Sequence, residues 1–545
     1  MEVREKDCYK SFREELFELW DKYCIDPIEA LRYSEFRMFK ATGDRAVYES
    51  AYFGRRKGLN AAAMLALIFP EDERYIVRLM DTIYAICDEY TWCLPAHQPS
   101  IDVNNNAYLD LFACETGYAL AEIDALLNDR LEPLIRERIR SEYERRIVSS
   151  FDKQRFPWEH NTANWNAVCT GSVACSMMLL RPELVEKYKA RFDENIEYYL
   201  SGFKDDGICE EGVGYWHYGF GFFTVYADMI RTFTDGKTDY FTRPKVKEVA
   251  AFLGKIYLSG SATVSFSDGG RSYRYHVGLL HYLKKEYPED ISIPDPENFY
   301  NIDNCGRWCL HLRSATWLKE EYLKPQAEYN KGAYYAGSSQ WMVFRNGRYG
   351  FAAKAGHNAE PHNHNDVGSF IIAKSGRQVF TDLGAGAYTR EYFSESGRYG
   401  ILNCSSRGHS VPIVNGTYQH EGRELAAKNV KYENGTFSCD IGGAYPISEL
   451  KSLVRSFSFA EESVTLTDCY DYRGEGDIVE RFITLVEPEQ VRSGEIRVDG
   501  VTMTYDPGKC DTVFSYEPIS LEEKAYFIDL KLRRSASEIT VTFTV

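Results

Sequence analysis

The hydrophobic pattern of this 545-residue chain changes once, near Ala333, from helical spacing to strand-like alternation. Before that position, apolar residues recur at helical spacing with polar residues between them. Short connections between such segments predict antiparallel helical hairpins, arranged either as a bundle or as a closed ring, an α/α toroid. The helical segments are 61–69, 78–87, 108–127, 131–146, 165–180 and 246–257.

After Ala333, short segments of alternating apolar and polar residues are separated by turn signals. Asn346-Gly347, for example, lies between two such segments and is typical of a tight β-hairpin. Many short strands of this kind predict an antiparallel β-sandwich. The alternating segments are 341–344, 349–354, 370–373, 378–380, 453–459, 464–468 and 539–545.

The chain is therefore expected to be multidomain, α then β. We place an (α/α) toroid at 1–325 and an antiparallel β-sandwich at 326–545, with the boundary somewhere between Leu312 and Ala333. A cleft between two such halves is the default place for a ligand.

Composition narrows the choice of partners. Lys and Arg number 64 against 81 Asp and Glu, a net charge of −17, which disfavours nucleic acid but leaves room for a small acidic ligand in a local basic pocket. No apolar stretch is long enough to span a membrane, and the charged start argues against a signal peptide. The 14 cysteines form no CxxC pair, so free thiols and a cytoplasmic location are expected.

Histidines concentrate early in the β half, in the segment GHNAEPHNHNDVGSF. Together with two later residues they include a set of His and Asp side chains of the kind that binds zinc with an open position for water. Exposed loop histidines without a common function, or catalytic histidines without a metal, are the alternatives. The residues concerned are His357, His362, His364, Asp366, Asp382 and His409.

Three segments of the helical half carry polar or aromatic side chains that a plain core does not need. EHNTANWNAV contains asparagines that serve either as helix caps or as positioned amides. EEGVGYWHYGFGFF sets aromatics on glycine-rich backbone, either as a core stripe or as flat faces for sugar rings. EYTWCLPAHQ places Trp92 and His97 in a polar loop.

Common catalytic motifs are missing from the sequence. There is no GxSxG, no Walker A, no GxGxxG and no HExxH, which disfavours a serine hydrolase or a nucleotide-dependent enzyme.

Taken together, these segments resemble the heparinase II/III-like family of polysaccharide lyases, which includes oligoalginate lyases. The resemblance covers most of the chain and is strongest in HNHNDVGSFIIAKSGRQVFTDLGAGAY followed by SSRGHS, with NTANWNAV and EEGVGYWHYGFGFF upstream. It implies an α/α toroid followed by antiparallel β-sheets, as the pattern itself predicts.

The resemblance also implies roles for individual residues. His364, Asp382 and His409 correspond to zinc ligands, the zinc being mainly structural, and His362 to the catalytic histidine. Tyr215 corresponds to the catalytic tyrosine of the toroid, with Tyr218 as fallback, and Asn164 to the residue that neutralises the substrate carboxylate, with Asn166 as the weaker choice. The resemblance also implies a further catalytic tyrosine from the β half. Tyr388, Tyr392 and Tyr399 are the candidates, and we select Tyr399. Substrate contacts are expected from Trp92, His97, Asn166, Trp216, Tyr218, Arg271 and Arg398.

The expected activity is β-elimination on a glycan that contains uronic acid, of the glycosaminoglycan type, with an unsaturated C4–C5 bond in the product. The substrate partner is an acidic oligosaccharide or polysaccharide, and the lack of a leader segment favours imported oligosaccharides. A zinc-dependent hydrolase and a non-catalytic carbohydrate-binding protein of the same fold are the alternatives. The oligomeric state stays open, a homo-oligomer included.

Overall fold

The structure is a computed structural model and describes residues 2–25, 27–100, 108–294, 298–324, 331–389, 391–394 and 396–545. Its first part is built from helices and its second part from antiparallel strands, which confirms the predicted order. No described helix combines the length and the apolar character that crossing a bilayer requires.

The helices follow one another with short connections. Their bounds are α1 Lys10–Tyr23, α2 Tyr33–Phe36, α3 Met38–Thr42, α4 Ala46–Ile68, α5 Glu73–Cys87, α6 Leu111–Leu127, α7 Pro133–Tyr143, α8 Ser149–Lys153, α9 Asn164–Leu180, α10 Pro182–Ser201, α11 Val213–Phe233, α12 Pro244–Ala250, α13 Phe252–Ile256, α14 Val277–Glu286 and α15 Trp308–Thr316. Two predicted helices are interrupted. A π-helical turn, Glu144–Val148, follows α7, and the segment 246–257 divides into α12 and α13.

Helix α9 is the centre of the helical half. It packs against α6, α10 and α11, and almost every one of its residues from Asn166 to Met178 is buried. A helix that is apolar on all sides can be stable only inside such a ring of neighbours. The start of α9 and the start of α11 thereby become fixed points close to each other.

The strands of the second half form three larger sheets. Their bounds are β5 Gly332–Ala336, β6 Trp341–Arg345, β7 Gly350–Lys354, β8 His357–Asn358, β9 Phe370–Lys374, β10 Arg377–Phe380, β11 Ile413–Val414, β12 Gly422–Ala426, β13 Lys428–Glu433, β14 Thr436–Asp440, β15 Leu450–Phe459, β16 Ser463–Tyr472, β17 Ile478–Thr484, β18 Glu489–Arg492, β19 Glu495–Val498, β20 Val501–Tyr505, β21 Cys510–Pro518, β22 Lys524–Leu532 and β23 Glu538–Thr544. The sheet orders are β10-β9-β7-β6-β5, β13-β14-β15-β16-β23-β20-β19-β18 and β11-β17-β22-β21, and β12 pairs with β8.

Four short strands lie within the helical half, where only helices were expected: β1 Tyr257–Ser259, β2 Ala262–Thr263, β3 Tyr275–His276 and β4 Phe299–Tyr300. The loop between β2 and β3 carries Asp268 towards the β half. The last helix ends at Thr316 and the first strand of the β half begins at Gly332, while the proposed boundary at 325/326 lies outside the described residues.

The two faces of the five-stranded sheet have different partners. One face packs on the eight-stranded sheet through phenylalanines, with the rings of Phe351 and Phe457 5.0 Å apart. The other face joins the helical core, which includes Trp341, Val343 and Ile371 among its buried side chains. The two halves therefore share a continuous apolar interface, and a cleft between them has rigid walls.

A buried ion-pair network ties the sheets to the histidine-rich loops. Arg455, which is fully buried, donates to Asp468 at 2.6 Å and to Glu480 at 3.0 Å. It also donates to the carbonyls of Gly368 and Ser410, which lie just after His364 and His409 in sequence.

Replacement of Arg455 by Met is expected to destabilise the fold by about 3–5 kcal/mol, because two buried carboxylates lose their cation. Urea unfolding measures this change. Arg348→Met is the control, since its pair with Glu462 is largely exposed and should contribute less than about 1 kcal/mol. Equal effects of the two substitutions would contradict the role given to Arg455.

Candidate active site

A cleft of about 680 Å³ opens between the two halves. The starts of α9 and α11 and the loop that carries Asp268 form its wall on the helical side, together with the segment 300–307. Tyr388 enters from the β half. Among the residues expected to form the site, Asn164, Tyr215 and Tyr218 line this cleft, and His362 lies against Tyr215.

The Asp268 carboxylate is the meeting point of the two halves. It accepts hydrogen bonds from His362 Nδ1 at 2.6 Å, from His364 Nε2 at 3.2 Å and from the Tyr388 hydroxyl at 3.2 Å. Tyr392 and Arg398 donate to it as well. Burial by itself would raise the pKa of Asp268, but the hydrogen bonds from His362 and His364 outweigh burial and hold the pKa well below its usual range.

His362 is fixed in an unusual backbone conformation. Its φ is +53°, in the left-handed region that residues other than glycine rarely adopt. Arg398 holds this turn by donating to the carbonyl of His362 at 2.8 Å and to that of Asn363 at 3.0 Å. The bond to Asp268 occupies Nδ1 and leaves Nε2 of the imidazole for a ligand.

Tyr215 lies in the first turn of α11 and reaches the same point from the helical side. Its ring centroid is 4.3 Å from that of His362, and its hydroxyl is 3.0 Å from that of Tyr388. Burial, the neighbouring Tyr388 and the charge of Asp268 together raise the pKa of Tyr215 far above its usual value. These surroundings favour the protonated form of the phenol.

Asn164 is the asparagine of its segment whose amide is free for a ligand. Asn161 accepts a bond from the backbone of Ala163, and Asn166 is fully buried and donates to the carbonyls of Glu159 and Asn161. Within the described ranges, no side chain or backbone group is hydrogen-bonded to the Asn164 amide. The three asparagines thus divide into two structural residues and one that faces the cleft.

Gly219 explains one of the glycines in the aromatic segment. A Cβ at this position would lie 2.9 Å from Cβ of Asn164 and 2.9 Å from the hydroxyl of Tyr199. Glycine therefore permits α11 to approach the start of α9 closely, so that Tyr215 and Asn164 share one wall.

The structure forms a buried group of two carboxylates and an imidazole in the β half. Ligand atoms of Asp366, Asp382 and His409 all lie within 4.8 Å of one another, and all three residues are buried. His364, which the resemblance placed in this group, is 5.5 Å from His409 between ring centroids, and Asp366 takes its place in the compact set. Asp366 is among the candidate residues of the sequence but not among the zinc ligands that the resemblance implies.

These residues fit a zinc ion. His409 Nε2 lies 2.8 Å from the carbonyl of Asn403, which directs Nδ1 towards Asp382 at 3.0 Å. His364 uses Nε2 for Asp268, and its Nδ1 is buried with no partner among the described residues. Histidines that donate one nitrogen to a protein acceptor and keep the other for the ion are the usual arrangement in zinc sites.

Several residues expected to contact substrate serve the fold instead. Trp92 and Trp216 are buried, and their indole nitrogens donate to the carbonyls of Ile86 and Val249. Asn166 is buried as described above. Arg271 makes a two-pronged ion pair with Glu523, at 2.7 and 2.8 Å.

The structure also gives His97, Arg398 and Tyr399 positions that differ from those expected. His97 bonds to Asp110 at 2.8 Å and is not among the residues of the cleft. Arg398 supports the turn of His362 and the carboxylate of Asp268, so its role is to position these groups. Tyr399 accepts a bond from Asn363 at 3.3 Å, while Tyr388 is the tyrosine of the β half that lines the cleft.

Asp268 and Arg307 are the residues that sequence analysis missed. Arg307 lines the cleft beside Tyr218. Asp268 lies in the segment SDGGRSYRYH, from which only Arg271 was expected to contact substrate, although an acidic residue before two glycines is a pattern that marks a tight turn. The sequence holds no signal that Asp268 meets side chains about a hundred positions later.

The fold is shared with solved polysaccharide lyases. A mutant of heparan sulfate lyase HepC from Pedobacter heparinus aligns with a TM-score of 0.66 and 13% identity, over 97% of this chain and 82% of that chain. A heparinase III aligns with a TM-score of 0.67 and 13% identity, over 98% and 84%. Chondroitin AC lyase from Streptomyces coelicolor A3, solved in complex with chondroitin sulphate, gives 0.51 and 9% identity, over 99% and 80%.

No protein-family model matches the sequence, and no curated protein matches it significantly. The similarity to the solved structures extends over nearly the whole chain and confirms the predicted α/α toroid followed by an antiparallel β-sandwich. The chain thus has the fold of the heparan sulfate and chondroitin lyases.

Asp268 is expected to make stability depend on pH at the acid end. Because its folded pKa lies below its unfolded value, its contribution is present above about pH 4 and is lost as the pH falls further. The free energy of unfolding should therefore decrease below about pH 4, and Asp268→Asn should reduce this slope while lowering stability at pH 7. Denaturant unfolding at a series of pH values measures both. An unchanged slope in the variant would contradict the assignment.

Zinc binding by Asp366, Asp382 and His409 is expected to raise the free energy of unfolding by about 2.7 kcal/mol when free zinc exceeds its Kd ~100-fold. Asp382→Asn should abolish the shift and lower the zinc content of purified protein. Asp477→Asn, at an exposed pair with Lys531, is the matched control. Wild-type protein that neither retains zinc nor responds to it would show that the set binds no zinc.

Proposed function

We propose that this protein is a polysaccharide or oligosaccharide lyase that cleaves uronic-acid-containing glycans of the glycosaminoglycan type by β-elimination. The observation that carries the proposal is that Asn164 and Tyr215 line one cleft between the two halves and that the ring of His362 lies 4.3 Å from that of Tyr215. The shared fold with lyases that act on such glycans supports it.

β-Elimination at a uronic acid sets three requirements. The proton on C5 must be removed, the negative charge that develops on the carboxylate must be stabilised, and the departing O4 must be protonated. A base, a hydrogen-bond donor and an acid must therefore surround one sugar ring. The cleft offers one group of each kind.

His362 is the base in this proposal. Asp268 accepts the Nδ1 proton at 2.6 Å, so Nε2 carries the lone pair that takes the C5 proton. The same carboxylate stabilises the imidazolium that forms, as in other catalytic Asp–His pairs. The strained turn at His362, supported by Arg398, fixes the direction of the ring.

Tyr215 is the acid. Its hydroxyl, hydrogen-bonded to that of Tyr388, gives its proton to O4, and the phenolate that remains regains a proton from the imidazolium of His362, whose ring centroid lies 4.3 Å away, or from solvent in the cleft. A phenolate at Tyr215 would lie close to the charge of Asp268, which makes Tyr215 a poor base. Asn164 donates from its amide to the substrate carboxylate and stabilises the growing charge.

A zinc ion at the buried carboxylate and imidazole group would have a structural role and would hold the loops of His364 and His409 in place. Asp366, Asp382 and His409 would bind it, with His364 beside them. All are buried away from the cleft, so a substrate linkage cannot reach them. This burial favours the lyase over the zinc-dependent hydrolase that the sequence left open, because a hydrolytic zinc needs a position open to substrate.

Tyr215→Phe and His362→Ala are each expected to lower kcat at least ~100-fold, because each removes one proton-transfer group. The ultraviolet absorbance of the unsaturated product measures the rate on chondroitin, heparan, hyaluronan and alginate substrates. Folding is checked by thermal unfolding. Near wild-type rates in both variants would contradict the mechanism, and tight binding without product in wild-type protein would indicate the non-catalytic alternative.

Tyr388→Phe is expected to lower kcat at least ~10-fold, because it removes the hydroxyl that is hydrogen-bonded to the hydroxyl of Tyr215 and that donates to Asp268, and so leaves the acid without its orienting contact. Tyr399→Phe removes a hydroxyl outside the cleft and should change kcat less than ~3-fold. The same absorbance assay compares the two. A larger loss of kcat in Tyr399→Phe than in Tyr388→Phe would indicate that Tyr399, as expected from the sequence, is the tyrosine of the β half that acts in the reaction.

A further inference from the structure

Arg307 is a cation in the cleft that the proposed proton transfers leave unused. It precedes α15 directly and lines the same cavity as Asn164, Tyr215 and Tyr218. Its side chain is largely buried, with 16% exposed. An arginine that reaches a ligand cavity from so buried a position loses little freedom on binding an anion.

Two contacts fix the position of the Arg307 guanidinium. It lies 3.9 Å above the ring centroid of Tyr218, and its Nη1 donates to Asp303 at 3.2 Å. Asp303 is itself fixed by the backbone N–H groups of Cys305 and Arg307, at 2.6 and 3.1 Å. This support orients the planar fork before any ligand arrives.

The carboxylates around Arg307 leave part of its binding capacity free. Nε is 3.6 Å from Glu115, beyond a hydrogen bond, and is itself buried without an acceptor among the described residues. Asp303 takes one bond from Nη1, so the other Nη–H groups are the donors left for a ligand. The Tyr218 hydroxyl donates to Glu115 instead. Burial raises the pKa of Glu115 to about 7, so this group neutralises Arg307 only in part near neutral pH.

We propose that Arg307 is a specificity-determining residue that binds an anionic group, a carboxylate or a sulfate, on the sugar next to the one that loses its C5 proton. The inference rests on the proposed lyase function and adds a second anion-binding position to that site. Tyr218, beneath the guanidinium, positions it. An anion at this place gains a charge-assisted hydrogen bond that is stronger than the one a neutral hydroxyl makes.

Two kinds of glycan present such a group. In an alternating uronate–hexosamine chain the neighbouring sugar is anionic only when it carries sulfate, whereas in a polyuronate it carries a carboxylate. The test therefore uses three oligosaccharides of equal length: an unsulfated uronate–N-acetylhexosamine chain, the same chain with N-sulfate, and a polyuronate. KM and kcat are measured separately for each by absorbance of the unsaturated product.

Wild-type protein is expected to show a KM at least ~10-fold lower for one anionic oligosaccharide than for the unsulfated chain. Arg307→Gln should raise the KM for that substrate ~10-fold or more with kcat nearly unchanged, and should raise the KM for the unsulfated chain much less. Arg307→Lys should restore only part of the loss, because lysine keeps the charge but not the fork. Arg377→Gln, at an exposed pair with Asp499, is the control.

Equal KM values of wild-type protein for all three substrates would overturn the inference even if the variants fail to fold. A uniform loss of kcat in Arg307→Gln would also overturn it. Absence of product from every substrate would contradict the proposed lyase function instead. Calorimetric binding of the same oligosaccharides to wild-type protein and Arg307→Gln would then decide the role of Arg307 alone.

Discussion

The carboxylate of Asp268 is the interaction on which the arrangement of the site depends. It belongs to a loop of the helical half, and its hydrogen-bond donors all come from the β half, among them His362, His364 and Tyr388. A buried carboxylate is stable only when its hydrogen-bonding capacity is filled. The charge therefore fixes how the loops of one half face the helices of the other, and it orients the base of the proposed reaction at the same time.

The packing of the helical half and that of the β half both stabilise the position of the groups around Asp268. On the helical side, α9 and α11 meet closely because Gly219 carries no side chain, so that Asn164 and Tyr215 share one wall. On the β side, Arg455 and the buried carboxylates around it hold the backbone after His364 and His409. The apolar face shared between the five-stranded sheet and the helical core makes both sides part of one packed body.

The chemistry of the cleft follows from different environments for similar groups. Tyr215 and His362 lie next to each other, yet burial beside Asp268 raises the pKa of the phenol, while the hydrogen bond from Nδ1 of His362 to the same Asp268 leaves Nε2 as the free atom of the imidazole. The sequence leaves the assignment of acid and base open, because this assignment depends on the carboxylate of Asp268, which comes from another part of the chain. The guanidinium of Arg307, a cation that lines the cleft, is held in place by the ring of Tyr218 and by its hydrogen bond to Asp303.

The sequence by itself determined the order of the two halves and the approximate positions of several helices and strands, because periodicity and local composition are properties of neighbouring residues. The candidates Tyr215, His362 and Asn164 came from the resemblance of its segments to the heparinase II/III-like lyases. The sequence could not determine which aromatic and basic side chains face the cleft: Trp92, Trp216 and Arg271 turned out to serve the fold, and Tyr388 rather than Tyr399 reaches the cleft. It also gave no sign of Asp268. Those choices depend on contacts between residues far apart in the chain, which only the packed tertiary structure brings together.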